Sequence, residues 1–253
     1  MNLVLLDNPE VVDFDAGTPA AEHLSRVLKI AVGDTFWCGV KNGARGLATV
    51  TDISPSGKIS FSVAWEKDSP DVKLPPVRLL VGLSRPQTMK KIFAAASEIG
   101  CARIDVFRSE KGDPAYAESS LWKVGDETLP GILKKSAEQT CIPAFPEFRL
   151  YRSLEHFLEE NSDEIQKSAC VALDVYAPEK SFGNIALPPQ KNVLLAIGSE
   201  RGWTNAERAG LRGNGFAFAH LGGRVLRVET AVAVALSVAL SKIDFWTPHK
   251  TLS

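Results

Sequence analysis

The sequence predicts an α/β chain, a parallel sheet covered by helices on both faces, preceded by a small β-barrel. Three observations lead there. The first part of the chain reads as short strands broken by turn signals. Residues 66–76 (EKDSPDVKLPP) are polar and proline-containing, as a linker is. Beyond them, apolar strand-like runs alternate regularly with amphipathic helical patterns. The expected division is residues 1–70 for the barrel and 71–253 for the α/β domain.

Within the first part, residues 58–65 (KISFSVAW) alternate strictly, placing Ile59, Phe61, Val63 and Trp65 on one face of a half-buried strand. Asn42-Gly43, between DTFWCGVK and ARGLATVTDI, predicts a two-residue hairpin turn, because both central positions then take positive φ. In the second part, residues 77–83 (VRLLVGL) form an apolar strand. Ser84 and Gln87 have the spacing of a capping box for a helix with Met89, Ile92, Phe93, Ala96 and Ile99 on one face and Gly100 as its stop. A strand at 104–107, a helix around 129–139, and strands at 148–151, 171–175 and 193–198 follow. Thr204 and Glu207 form a second capping box, before a strand at 216–221 and a last helix from about Glu229. That helix, ETAVAVALSVALSKI, is apolar nearly all round, which implies burial in a core or at a dimer interface.

Composition narrows the functional classes. With 45% hydrophobic residues in 253, the chain can build a substantial core. Its most apolar run, residues 231–240, is broken by Ser237 and is far short of the roughly 20 residues of a membrane span. The start, MNLVLLDNPE, has neither a basic flank nor a small-residue cleavage site, so a cytoplasmic protein is expected. Cys38, Cys101, Cys141 and Cys170 lie far apart with no CxxC pair and no histidine at metal spacing. They read as reduced, buried thiols, and no metal is expected. A net charge of -1 argues against a generic polyanion binder, yet charge is segregated. Arg85, Lys90, Lys91, Arg103, Arg108 and Lys111 face only Glu98, Asp105 and Glu110 in their stretch. Arg26, Lys29, Lys41 and Arg45 face Asp34 alone. Such clusters fit a nucleic-acid face or ordinary solvated helix faces.

In a doubly wound sheet, ligands bind beyond the carboxyl ends of the strands. Two such ends carry unusual loops, AIGSERGWTNAE at 196–207 and LGGRVLRVETA at 221–231. Both place glycine where backbone turns sharply or approaches a ligand. Neither is GxGxxG or a P-loop, which counts against a nucleotide-binding oxidoreductase.

These loops, in this order after a small β-domain, resemble the RsmE family of ribosomal RNA uridine N3-methyltransferases, members of the SPOUT class. His23-Leu24, Val27-Leu28-Lys29 and Gly33-Asp34 look like the family's HL..VLR...GD segment. Arg85, Met89 and Ala96-Ser97-Glu98-Ile99-Gly100 look like its K...M......ATELG helix. Glu138-Gln139-Thr140 is similar to its EQS motif. Residues 197–203 with Glu207 resemble IGPEGGF....E, and LGGRVLRVETA resembles LG.RILR.ETA, the most specific of the matches. The resemblance implies a SPOUT-type parallel sheet with a C-terminal trefoil knot and a PUA-like N-terminal β-barrel. It implies S-adenosylmethionine as cofactor, ribosomal RNA or the small ribosomal subunit as partner, and a homodimer. By the same resemblance Ile197, Gly198, Glu200, Gly202, Leu221, Gly222, Val225, Leu226 and Arg227 line the cofactor pocket.

Four positions depart from the family pattern. Ser199 and Arg201 stand for proline and glycine, Ile142 for an arginine, and Ala95 for a lysine. The chain is accordingly either an active divergent member, a methyltransferase with another RNA substrate, or a non-catalytic RNA-binding relative. Methylation at uridine N3 requires loss of an imide proton, so a base or a cation that stabilises the anion is needed. Arg227 and Glu229 are the candidates: Arg227 to stabilise the anion or orient the base, Glu229 to position Arg227 or take the proton. Alternatively, Glu229 simply favours the helix N-terminus and pairs with Arg227. Arg201 either reaches RNA phosphate or is solvated, and His23 either contacts RNA or packs. Arg26, Lys29, Arg85, Lys90 and Lys91 complete the expected RNA contacts.

Overall fold

The computed structural model describes residues 3–67, 73–189 and 192–246. Of the expected linker, residues 68–72 lie outside the described residues. The chain divides into two units, Met1–Lys73 with Lys134–Phe145, and Leu74–Leu133 with Pro146–Ser253. No shift in composition announces that residues 134–145 go with the first unit.

The first unit carries strands β1 (Leu3–Leu6), β2 (Asp13–Phe14), β3 (Thr35–Val40), β4 (Arg45–Ile53) and β5 (Ile59–Trp65), in the order β1-β3-β4-β5-β2. β1 runs parallel to β3 and the other pairs are antiparallel, so the expected β-barrel is present as a mixed half-barrel sheet. β5 alternates as its pattern requires: Ile59 and Phe61 are buried, and Val63 and Trp65 pack partly buried on the same cluster. The β3–β4 turn is longer than predicted. The Val40 N–H donates to Ala44 O at 3.0 Å, and of Asn42 and Gly43 only Asn42 has a positive φ, 55°. The cause is a tie to the 143–145 segment: Asn42 N–H donates to Pro143 O at 2.9 Å, and its Oδ1 accepts the Phe145 N–H at 2.7 Å. Helix α1 (Pro19–Glu22), capped by Thr18, runs into a π-helical turn, His23–Val27, which buries Leu24.

In the second unit, β6 (Val77–Gly82), β7 (Arg103–Phe107), β8 (Glu147–Tyr151), β9 (Ala169–Leu173), β10 (Lys180–Ser181), β11 (Val193–Ile197) and β12 (Ala217–His220) form one sheet. Its order is β10-β12-β9-β11-β6-β7-β8 and every neighbouring pair is parallel. β6 and β11 are buried along their whole length, as strands covered on both faces are. Helices α2 (Pro86–Ile99) and α7 (Val228–Lys242) pack on one face. Met89, Ile92, Phe93 and Ala96 meet Val232, Ala235, Leu236 and Ala239 in one core. The other face is covered by α4 (Leu154–Glu160), α5 (Ser162–Lys167) and α6 (Asn205–Gly213), with Phe157, Leu158, Ile165 and Leu211 in its core. Between β7 and β8, α3 (Thr128–Thr140) starts in this unit and ends in the first.

The Thr204–Glu207 capping box forms, at 3.0 and 2.8 Å. The Ser84–Gln87 box does not. Pro86 opens α2 at its first position, where its fixed φ suits the helix and its missing N–H costs nothing; Arg85 becomes the N-cap, and Ser84 Oγ donates to Gly82 O at 3.1 Å.

Beneath α4 and α5 lies a buried charge cluster. Asp105 accepts from Arg78 Nη2 at 2.6 Å and Arg103 Nε at 3.0 Å, and Asn161 Oδ1 accepts from both arginines at 3.0 and 2.8 Å; Glu164 completes the pairing of Arg78. Removing one member of a buried pair strands the other charge. Asp105→Ala is expected to lower unfolding free energy by about 3–5 kcal/mol, read by urea denaturation.

Candidate active site

The parallel strands of the second unit end side by side, β6 at Gly82, β9 at Leu173, β11 at Ile197 and β12 at His220. Their loops are held close by specific contacts. A Cβ on Gly82 would stand 2.4 Å from the Ser199 nitrogen, so only glycine lets the 198–199 backbone cross the end of β6. Gly202, at φ 66°, closes the loop through its N–H to Ser199 O at 2.8 Å. Trp203 then anchors it: the buried indole stacks on Phe107, centroids 5.6 Å apart, and donates to Leu173 O at 2.8 Å. Glu200 reaches back to the start of α2, where its Oε1 accepts the Arg85 N–H at 3.0 Å.

The residues that depart from the family pattern in this loop are tied down. Ser199 Oγ lies 3.5 Å from Ser109 Oγ. Arg201 donates to Lys111 O at 3.3 Å, and Lys111 Nζ donates to Trp203 O at 2.9 Å. Of the other two, Ala95 is half-buried on α2 and Ile142 is half-buried in the first unit.

The second loop leaves β12 through Gly222, at φ 113°, whose N–H donates to His220 Nδ1 at 3.0 Å. It enters α7 with Arg227 as N-cap residue, backbone extended and side chain exposed. Glu229, in the first turn, accepts from Lys91 Nζ at 3.3 Å. Its own N–H, then Lys91 and Arg227, hold its carboxyl below the usual range against a smaller effect of burial. The direct ionic partner of Glu229 is thus Lys91.

The loops enclose a cavity of about 730 Å³. Ile197, Gly198, Glu200, Gly202, Leu221, Val225, Leu226 and Arg227 line it, as do Glu229, Arg85, Lys91 and Arg201. Gly222 shapes the turn without lining the cavity, and Lys90 stands apart, near Asp126. His23, Arg26 and Lys29 belong to the first unit. His23 is half-buried, Arg26 pairs with Glu22 at 3.6 Å, and Lys29 is exposed at φ 52°.

Sequence reasoning missed one wall of the cavity, Asp174 to Tyr176, by running the strand through residue 175; β9 stops at Leu173. The signal was available, since Asp174 is the first polar residue after an apolar run. Its buried carboxylate accepts from Arg208 Nε at 2.5 Å and from the Tyr176 N–H at 2.9 Å. Burial pushes this carboxyl upward, but Arg208 and the Tyr176 amide outweigh it and leave it below the usual range.

Three outcomes follow for stability. Gly82→Ala is expected to cost about 1–3 kcal/mol in chemical denaturation. Gly131→Ala, inside α3 with nothing within 4 Å of the new Cβ, should stabilise by about 0.5–1 kcal/mol. Because the folded pKa of Asp174 lies below its unfolded value, its contribution is present above about pH 4 and disappears as pH falls through the depressed folded value. The stability difference between wild type and Asp174→Asn, followed by thermal unfolding, should therefore shrink as pH is lowered through that range.

Comparison with known proteins agrees with this arrangement. The family described as RNA methyltransferase domain matches residues 72–240. Ribosomal RNA small subunit methyltransferase E of Treponema pallidum (strain Nichols) is 30% identical, over 97% of this chain and 93% of its own. Ribosomal RNA small subunit methyltransferase E 1 of Borreliella burgdorferi (strain ATCC 35210 / DSM 4680 / CIP 102532 / B31) is 26% identical, over 96% of this chain and 99% of its own. In fold, the chain is similar to the crystal structure of a ribosomal RNA small subunit methyltransferase E from Neisseria gonorrhoeae bound to S-adenosyl methionine. The TM-score is 0.74 at 20% identity, covering 95% of this chain and 97% of that one. The chain belongs to the RsmE family of RNA methyltransferases.

Proposed function

We propose that the protein transfers a methyl group from S-adenosylmethionine to N3 of a uridine in small-subunit (16S) ribosomal RNA. The observation that carries this reading is the convergence of the 197–203 and 221–229 loops on one cavity at the carboxyl ends of the parallel strands. Its volume of about 730 Å³ suits a cofactor of that size. Gly198 and Gly202 leave backbone bare on its wall, and Ile197, Leu221 and Leu226 supply apolar contact. These residues would hold the cofactor, which supplies an electrophilic methyl group on a sulfonium.

The reaction breaks the S–CH3 bond, forms N3–CH3 and releases the N3 proton to solvent. In this reading Arg227, exposed at the N-terminus of α7, stabilises the charge that grows on the uracil ring as that proton leaves. A Glu229 carboxyl held low and paired with Lys91 is a poor proton acceptor, which supports a positioning role for it. His23, Arg26 and Lys29 of the first unit, and Arg85, Lys90, Lys91 and Arg201 of the second, are the proposed RNA contacts. The ties of Ser199 to Ser109 and of Arg201 to Lys111 favour an ordered loop, and so an active divergent member.

In the same reading, residues 1–70 are a PUA-like RNA-binding domain and residues 71–253 a SPOUT methyltransferase domain. A trefoil knot is supported by the strand order, in which β11 enters between β6 and β9 and the chain then returns to the far side of β9 as β12. A cytoplasmic homodimer is proposed with it; Val234 on α7 and Trp246 beyond it are exposed apolar side chains suited to an interface. Among the described residues no helix is long and apolar enough to cross a membrane, and no group of three His, Cys, Asp or Glu could hold a metal ion.

The test is transfer from labelled S-adenosylmethionine to small subunits or naked 16S rRNA from cells lacking the enzyme, with the product nucleoside identified. N3-methyluridine is expected; another nucleoside or no transfer would refute the assignment. Arg227→Ala should lose about a hundredfold or more in kcat with cofactor affinity kept. Neutralising Lys29, Arg85, Lys90 and Lys91 together should weaken RNA binding and flatten its salt dependence, measured by titration at several salt concentrations.

A further inference from the structure

The cavity carries an aromatic ring that the core does not use. Tyr176 lines it and yet is 76% exposed, whereas the indole of the lining, Trp203, is buried and already stacked on Phe107. The Tyr176 backbone is fixed all the same. Its N–H donates to Asp174, and Asp174 is gripped by Arg208 of α6 through Nε at 2.5 Å and Nη2 at 3.3 Å, with the carboxylate side chain 1% exposed. The ring stands over Gly202, its Cε2 3.9 Å from where a Cβ on that residue would be. Exposed Val175 and Val225 also line the mouth, together with Arg224 and Arg227.

An exposed ring on a pinned backbone, flanked by apolar side chains and cations, matches an unpaired nucleobase and its phosphates. The base gains stacking on the ring, and the arginines answer the backbone charge. The height of the ring at the mouth, rather than in the depth of the cavity, suits a base arriving from outside. We infer that Tyr176 is the platform on which the target base of the RNA stacks when it is turned out of its strand, with Asp174 and Arg208 as the residues that position it. This rests on the methyltransferase reading, and it names a substrate-binding residue that the family's loop motifs do not contain.

The experiment measures RNA-dependent methyl transfer and, separately, calorimetric binding of S-adenosylhomocysteine. Tyr176→Ala should lower kcat/KM for RNA roughly tenfold to a hundredfold and leave S-adenosylhomocysteine affinity unchanged. Tyr176→Phe, which keeps the ring, should restore most of the loss. Arg208→Gln should give a smaller loss, and adding it to Tyr176→Ala should cost nothing more, a non-additivity that a merely structural role does not produce. Equal weakening of cofactor binding by Tyr176→Ala would assign the ring to the adenine and overturn the inference, as would unchanged kcat/KM. Should the wild type transfer no methyl group to any RNA, the methyltransferase reading itself fails. The platform is then decided by binding of fluorescent oligouridylate, which Tyr176→Ala weakens if the ring stacks a base and leaves unaltered if it does not.

Discussion

The crossing of residues 198–199 over the end of β6 is the constraint on which the site depends. The Ser199 nitrogen passes so close to Gly82 that no side chain fits between them. That passage turns the chain leaving β11 toward the start of α2, where Glu200 meets the Arg85 N–H, and then down to Trp203, which locks against Phe107 and Leu173. The cavity is the space that remains between this bent loop and the segment entering α7. Bare backbone at Gly198 and Gly202 forms part of its wall, and apolar and charged side chains, among them Leu226, Tyr176, Arg85 and Arg227, form the rest.

Loop order here comes from side-chain ties where the family pattern has proline and glycine. Ser199, Arg201 and Lys111 link the cavity loop to the segment after β7, and Glu207 adds another link by accepting the Glu110 N–H at 3.1 Å while it closes the cap of α6. Weak side-chain contacts in a partly buried setting can stand in for a rigid residue, because each needs only to exceed the small entropy left in an already crowded turn. The two departures in this loop, Ser199 and Arg201, thus fall where a side-chain tie is close at hand.

Most strands of the second unit were legible in the sequence, because strands covered on both faces are near-continuous apolar runs, and α2 was legible from its one apolar face and α6 from its capping box. The 196–207 and 221–231 loops were legible for the same reason, standing at strand ends and rich in glycine. Other features were not, the short elements α4, α5 and β10 among them. The start of α2 was misread at Ser84, since a capping spacing says nothing of the proline that moves the helix start. The Asn42 turn was misjudged because its geometry is imposed by residues 143–145, about a hundred positions away. The wall at 174–176 was overlooked because the strand was continued through Asp174 to apolar Val175, whereas β9 ends at Leu173 and Asp174 is clamped by Arg208. Charge partners fared the same way: Glu229 was expected beside Arg227 and is held instead by Lys91, a residue far off in sequence.

The most direct measurement is a crystal structure of the protein with S-adenosylhomocysteine. The account predicts the ligand in the cavity between residues 197–202 and 221–227, with backbone amides and carbonyls of those loops as its main polar contacts and Tyr176 still open at the mouth. A ligand seated anywhere else, or a protein that crystallises without it at saturating concentration while its fold is intact, would contradict the account.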